Sequence, residues 1–264
     1  MAVPLEEMEF LARSKNRVEV LRLVATEPHS RRRLAEATGA SQATLGRILE
    51  DFAERSCVER DGGAYVATAT GALVADGVAD LLSILETEAK LRDVVSYLPT
   101  DAMGFDLRRL ADATVTVPTR TRPSAPLQCV LEAMGEADSL RAFSHTLNEQ
   151  SLAVVHDRMR AGEGTFEAVL SASAVSALAA EERLWSQLRA LADADGAEIR
   201  VREAEIPLAV TVADGTVYLL VRDDAGLLQA SLHTDDADVG AWATETFERY
   251  WETASAFDPA AFGG

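Results

Sequence analysis

Between Leu5 and Val24 the apolar residues Met8, Leu11, Val18, Leu21 and Val24 recur at steps of three and seven, the spacing of one face of an α-helix. This predicts a first helix, ended near Thr26-Glu27-Pro28 because proline disfavours helix in the residue before it. Ser30 can cap a second helix over Arg31–Thr38, with Gly39 as its stop. Ser41 can cap a third, whose buried side is Leu45, Ile48, Leu49 and Phe52. Cys57–Arg60 and Ala64–Thr68 read as short strands joined by the turn Asp61-Gly62-Gly63. Short helices about a Gly-containing turn, followed directly by a hairpin, make a winged helix-turn-helix over residues 1–68.

Residues 69–98 predict connector helices. Val74, Val78, Leu81, Leu82, Leu85, Leu91, Val94, Val95 and Leu98 lie on apolar stripes, interrupted by Gly71 and Gly77. Such stripes serve packing within the chain or pairing with a second copy, and the pattern does not choose between them. Past Pro99, strands are expected at 113–118, 141–144, 166–170, 198–201, 208–212, 217–221 and 226–232. Helices are expected at 127–134, 148–161, 181–194 and 238–254. Strands alternating with helices and ending in a meander give an α/β domain with a mixed sheet over 99–264, so the whole chain is α+β.

Charge changes this picture. The 264 residues carry 43 acidic and 25 basic side chains, net −18, and Lys15 and Lys90 are the sole lysines. An acidic, lysine-poor, alanine-rich chain resembles the cytoplasmic proteins of extreme halophiles, whose charge keeps them soluble at high salt. The acid is unevenly spread: residues 1–68 hold 10 basic and 11 acidic groups, while 69–264 carry a net −17. At molar salt the Debye length is about 3 Å, so distant carboxylates scarcely repel a phosphate backbone and short-range contacts decide. No stretch has the roughly 18 apolar residues of a membrane span, and the acidic start Met1-Ala-Val-Pro-Leu-Glu-Glu lacks signal-peptide character, which predicts a cytoplasmic protein.

The order of helices, turn and hairpin within about 65 residues resembles the winged helix-turn-helix regulators of the ArsR and related archaeal groups. The segment from Thr165 to Ala256, with Val169-Leu-Ser-Ala-Ser, the hairpin Ile206-Pro-Leu-Ala-Val-Thr-Val-Ala-Asp-Gly and the helix through Trp242 and Trp251, resembles the ligand-sensing domain of archaeal regulators of the methanogenesis-regulator type. That domain shares its architecture with the phospholipase-D-like sensor of TrmB-like sugar regulators. The resemblance implies a homodimer on a double-stranded DNA operator, controlled by a small-molecule effector; a sugar phosphate or other anionic metabolite is the expected class.

In such a motif the start of the third helix enters the major groove. With Leu45, Ile48, Leu49 and Phe52 inward, Gln42 and Arg47 point out and Thr44 lies at the boundary. Gln suits adenine, Arg guanine and Thr the thymine methyl, so these three are the expected base readers, opened by the Ser41 cap. Arg31, Arg32 and Arg33 start the second helix, where cations oppose the helix dipole and repel one another, a placement that a phosphate backbone would favour. Arg60, beside the hairpin turn, is the expected wing contact. A solvated polar face accounts for the same residues. In the C-terminal domain the strand-to-helix junctions Ser144-His145 with Asn148, and Ser171 with Ser173, are candidate anion contacts. Each also suits an ordinary N-cap.

The sequence argues against catalysis. A phospholipase-D site needs His-x-Lys, and none of His29, His145, His156 or His233 has Lys two residues on; His156-Asp157-Arg158 comes nearest. Phosphate loops, nucleophile elbows and zinc-helix motifs are absent, and Cys57 and Cys129 have no partner at metal-ligand spacing, so no cofactor or metal is expected. The alternative from another class is a winged helix used for protein contact, with no operator.

Overall fold

The computed structural model describes residues 4–262; Met1–Val3 of the acidic start and residues 263–264 lie outside them. The chain divides into two compact units, Met1–Glu86 and Thr87–Gly264, and the division falls inside the stretch 69–98.

The first unit opens with two helices, α1 (Pro4–Ala12) and α2 (Lys15–Thr26), where the periodicity predicts one. Ser14 makes the break. Its backbone is extended (φ −153°) and its side chain accepts from the Asn16 N–H, so it caps a new helix although the apolar spacing runs on past it. The inward residues of α1 are Phe10 and Leu11, while Met8 is half exposed. Phe10 meets Phe52 edge to face at 5.4 Å, and the Arg17 and Arg55 guanidinium groups lie over its ring at 4.1 and 3.8 Å. Helix α3 (Arg31–Thr38) is capped by Ser30 and stopped by Gly39 at φ 67°, and α4 (Gln42–Glu54) is capped by Ser41. Leu45, Ile48, Leu49 and Phe52 of α4 join Val20, Leu21, Val24 and Leu34 in the core.

Strands β1 (Val58–Asp61) and β2 (Ala64–Ala67) form the expected hairpin, with Gly62 and Gly63 both at positive φ in its two-residue turn. The hairpin is fastened at both ends. His29 and Tyr65 exchange backbone hydrogen bonds of 3.0 and 2.8 Å just before α3 begins. The Thr68 and Thr70 hydroxyls both donate to the Ser56 carbonyl, at the start of α5 (Ala69–Leu91). Val74 and Val78 of α5 pack on the core of this unit, whereas Leu73, Leu81, Leu82, Ile84 and Leu85 are exposed.

In the second unit the order is β3 (Thr114–Thr116), α6 (Ala125–Glu136), β4 (Ser139–Ser144), α7 (Glu149–Ala161), β5 (Thr165–Ser171), α8 (Ala172–Ala179), α9 (Glu182–Ala192), β6 (Ala197–Arg202), β7 (Ala209–Ala213), β8 (Thr216–Arg222), β9 (Leu228–Thr234), α10 (Ala237–Thr253) and β10 (Ser255–Ala256). One eight-stranded mixed sheet runs β10-β6-β5-β4-β7-β8-β9-β3. Strands β4, β5 and β6 are mutually parallel, and every other pairing is antiparallel. Two apolar cores lie on it. Residues of α6, α7, α8 and α9 build one, including Val130, Leu152, Leu178 and Leu188. Val239, Ala243 and Phe247 of α10, with Leu91, Leu98 and Leu110 from the segment before β3, build the other. Asp214 closes the β7–β8 turn at φ 47°, and its carboxylate accepts the Asp138 and Ser139 N–H groups at 3.1 and 2.9 Å, fixing where β4 starts. No described helix is long and apolar enough to cross a membrane.

A Cβ at Gly71 would stand 1.8 Å from the Cys57 carbonyl oxygen, a backbone atom that cannot turn aside. Gly71→Ala should therefore lower the stability of the N-terminal unit by roughly 3 kcal/mol, more than its helix propensity returns, as denaturant titration will measure.

Candidate functional site

The arginines of the first unit fall into two groups. Arg13, Arg17, Arg22 and Arg55, just after α1, on α2 and just after α4, pair with Glu9, Asp51, Glu19 and Glu7 at 2.6 to 2.9 Å. Arg33, Arg47 and Arg60, on the start of α3, the outer face of α4 and the hairpin, are exposed and have no carboxylate within ion-pair distance among the described residues. Arg32 has only the distant Glu36 at 3.7 Å, with 85% of its side chain in solvent.

Arg31 differs from its neighbours. Its Nη2 donates to the Gln42 carbonyl at 2.6 Å, tying the start of α3 to the first residue of α4. A side chain at Gly46 would meet this guanidinium at 2.5 Å, so the glycine leaves room for it. Gln42, Ala43, Arg47 and Glu50 are exposed and Thr44 is half-buried, its hydroxyl 2.9 Å from that of the capping Ser41. The outer face of α4 therefore presents amide, hydroxyl and guanidinium groups along one ridge, at a helix start whose N–H groups and dipole favour an anion.

Of the five junction residues in the second unit, four are engaged locally. The Ser144 hydroxyl donates to the Thr146 carbonyl and accepts its N–H. Asn148 caps α7 through the Ser151 N–H, and Ser171 caps α8 through the Ala174 N–H. The exposed Ser173 bonds Ser171 at 3.0 Å. His145 differs in that its ring engages the Ile206 backbone but leaves one nitrogen over. It lines a cleft of about 790 Å³ with Tyr97, Leu98, Pro207, Leu220 and Arg222, and its Nδ1 is buried with no hydrogen-bond partner. The cleft lies where β4 ends, β7 begins and β8 ends, at the boundary between the parallel and antiparallel halves of the sheet. Sequence reasoning missed Arg222; a lone arginine at the foot of the apolar run Val217–Val221, before the loop Asp223-Asp-Ala-Gly226, was the available signal.

Two family descriptions match the chain. Residues 5–90 match the HVO_A0261 N-terminal domain, and residues 123–253 match the middle domain of the methanogenesis regulatory protein FilR1. The first match spans about a third of the chain and the second just under half, so the likeness is one of separate domains. The second of these is a domain of a regulatory protein, so the likeness is to a regulator. No curated protein matches the chain. Among solved structures it is similar to TrmBL2, described as an archaeal chromatin protein with a novel mode of DNA binding, at 14% identity over 97% of this chain and 100% of that one (TM-score 0.41). It is also similar to the phospholipase D family member Nuc from Salmonella typhimurium (15% identity, 55% and 98% covered, TM-score 0.43) and to NucT from Helicobacter pylori (13%, 55% and 98%, 0.44).

The most nucleophile-like pair in this regulator is Cys129 with His233, Sγ to Nδ1 3.6 Å. Burial, and then Glu132, push the thiol above its ordinary value, the reverse of what a reactive cysteine needs. Cys57 and Cys129 are both free. Among the described residues no group of three His, Cys, Asp or Glu side chains could hold a metal ion.

Burial and the neighbouring Arg222 hold His145 below its ordinary 6.5. The unfolded chain then takes up a proton at His145 before the folded one does, so the neutral ring contributes stability above that value that is lost as the pH falls. Denaturation of the wild type between about pH 7.5 and 5.5 should show an acid-side loss that His145→Asn reduces.

Proposed function

We propose that the chain is a sequence-specific DNA-binding regulator, acting in the cytoplasm as a homodimer under the control of a small anionic effector. Helix α4 enters the major groove, with Gln42, Thr44 and Arg47 at base edges. Arg32, Arg33, Ser41 and Arg60 hold phosphates, and Arg31 keeps donors for a phosphate beside its bond to Gln42. One observation carries this reading: in a chain with 43 acidic side chains, Arg31, Arg33, Arg47 and Arg60 have no carboxylate within ion-pair distance among the described residues and Arg32 has only Glu36 at 3.7 Å, while Arg13, Arg17, Arg22 and Arg55 are paired at 2.6 to 2.9 Å. Unpaired guanidinium groups beside a bare recognition ridge suit phosphate and guanine, which they engage bidentately. The near neutrality of residues 1–68 supports the same partner.

Pairing of two copies through α5 is supported by its exposed Leu81, Leu82, Ile84 and Leu85, a run of apolar surface that packing within the first unit leaves uncovered. Two ridges about one DNA turn apart would then read a pseudo-palindrome. An effector that binds one dimer geometry better than another shifts operator affinity by that difference.

Gel shifts with the DNA upstream of its own gene, in molar potassium chloride, test the reading. Arg47→Ala should relax sequence preference, costing about 1 to 3 kcal/mol on the preferred site alone. Arg33→Ala should weaken all sequences alike and lower the salt slope by about one. Equal operator binding by both variants, or no shift by the wild type, would favour the protein-contact alternative. For the dimer, light scattering of Leu81→Asp/Leu85→Asp should report half the wild-type mass; an unchanged mass removes α5 from the interface.

A further inference from the structure

The cleft beside His145 holds an arginine without a counterion. Arg222 is half-buried at the end of β8 and makes a single hydrogen bond, from Nη1 to the Gly226 carbonyl at 2.9 Å. No carboxylate stands within ion-pair distance of it among the described residues, and its Nε is buried and unbonded. Two other half-buried arginines of this unit are paired, Arg158 with Glu163 at 3.4 Å and Arg200 with Glu198 at 2.9 Å, and Arg202, which also has no carboxylate partner among the described residues, instead bonds Thr253 Oγ1 at 2.6 Å and lies over the Tyr250 ring at 4.5 Å. The nearby acids do not fill the gap: the exposed Glu205 acts on His145, while burial alone acts on Arg222. The Asp223 carboxylate is taken up by the N–H groups of Ala225 and Leu227 at 3.0 and 2.9 Å and by Gln229 Nε2 at 2.7 Å, and Asp224 is exposed.

The β8–β9 register shifts between Val221 and Arg222, and a bulge of this kind re-aims the side chain that follows it. Arg222 and the Nδ1-unbonded ring of His145 line the same cleft, and Tyr97, Leu98, Pro207, Leu208 and Leu220 give it apolar walls. A half-desolvated cation is costly unless it is paired, so an anion entering here gains a charge-assisted partner that the protein itself withholds. The cleft volume, about 790 Å³, is that of a metabolite site.

We propose that this cleft is the effector pocket, and that it takes a small organic anion whose carboxylate or phosphate meets Arg222 and His145 while an apolar body lies against Leu98, Leu208 and Leu220. The proposal rests on reading residues 99–264 as an effector-sensing domain. Desolvation lowers the Arg222 pKa from its ordinary value, in keeping with a charge that lacks a partner.

Calorimetric titration of the full chain with phenyl phosphate, benzoate and the uncharged phenol tests it, over every chloride concentration at which circular dichroism shows the protein folded. At least one anion should bind, phenol at least tenfold more weakly, and the stronger anion identifies the head group. Arg222→Gln should lose roughly tenfold or more of that affinity. Arg222→Lys, which keeps the charge and loses the planar fork, should lose several-fold and carries the test if Arg222→Gln does not fold. Binding of neither anion at any salt concentration, equal binding of phenol, or undiminished binding by the substituted proteins overturns the proposal. Operator binding without anion uptake would leave the regulator standing and remove this pocket; anion uptake by a protein that shifts no DNA would do the reverse.

Discussion

Strand β4 is the constraint on which the larger unit turns. It pairs parallel with β5 on one side and antiparallel with β7 on the other, so the direction of the sheet changes at its edge. Parallel partners require crossover helices, and these place α6 to α9 on one face; the antiparallel meander needs only tight turns and leaves α10 with the segment before β3 to cover the other. The loop after β4 cannot follow both neighbours, and a cleft opens where they part. Asp214 holds the other end of the strand, accepting two N–H groups that no neighbouring strand reaches.

In the first unit the governing quantity is charge placement rather than charge. Four arginines are neutralised at short range, and two of them, Arg17 and Arg55, brace α1 by lying over Phe10. The remainder stand in solvent at the edge of α3 and α4. Arg31 belongs partly to both groups, because it fixes the angle between the two helices through the Gln42 carbonyl and still lies at the exposed end of α3. The bridge between His29 and Tyr65 works in the same direction, holding the hairpin to the start of α3.

What the sequence made legible is what local chemistry determines. Ser30, Gly39, Ser41 and the inward face of α4 are set by capping and helical period, and the Gly62-Gly63 turn by the positive φ it demands. The break at Ser14 was hidden because an apolar stripe continued across it, and Phe10 lay off that stripe. Strands β3 to β9 could be placed by pattern and the two-residue β10 could not, nor could the strand order, since β3 pairing beside β9 and β4 lying centrally depend on contacts far apart in the chain. Arg222 escaped notice for a related reason: its isolation is a property of the fold, visible only when the neighbouring carboxylates are seen to be occupied.

The large sheet ends in very short strands, three residues at β3 and two at β10. Little unpaired backbone is offered at either margin, so another molecule finds almost no template on which to extend the ladder. Mutual repulsion among acidic chains fades as salt screens it. Protection built from strand length does not fade, and it guards against edge-to-edge extension of the sheet at any ionic strength.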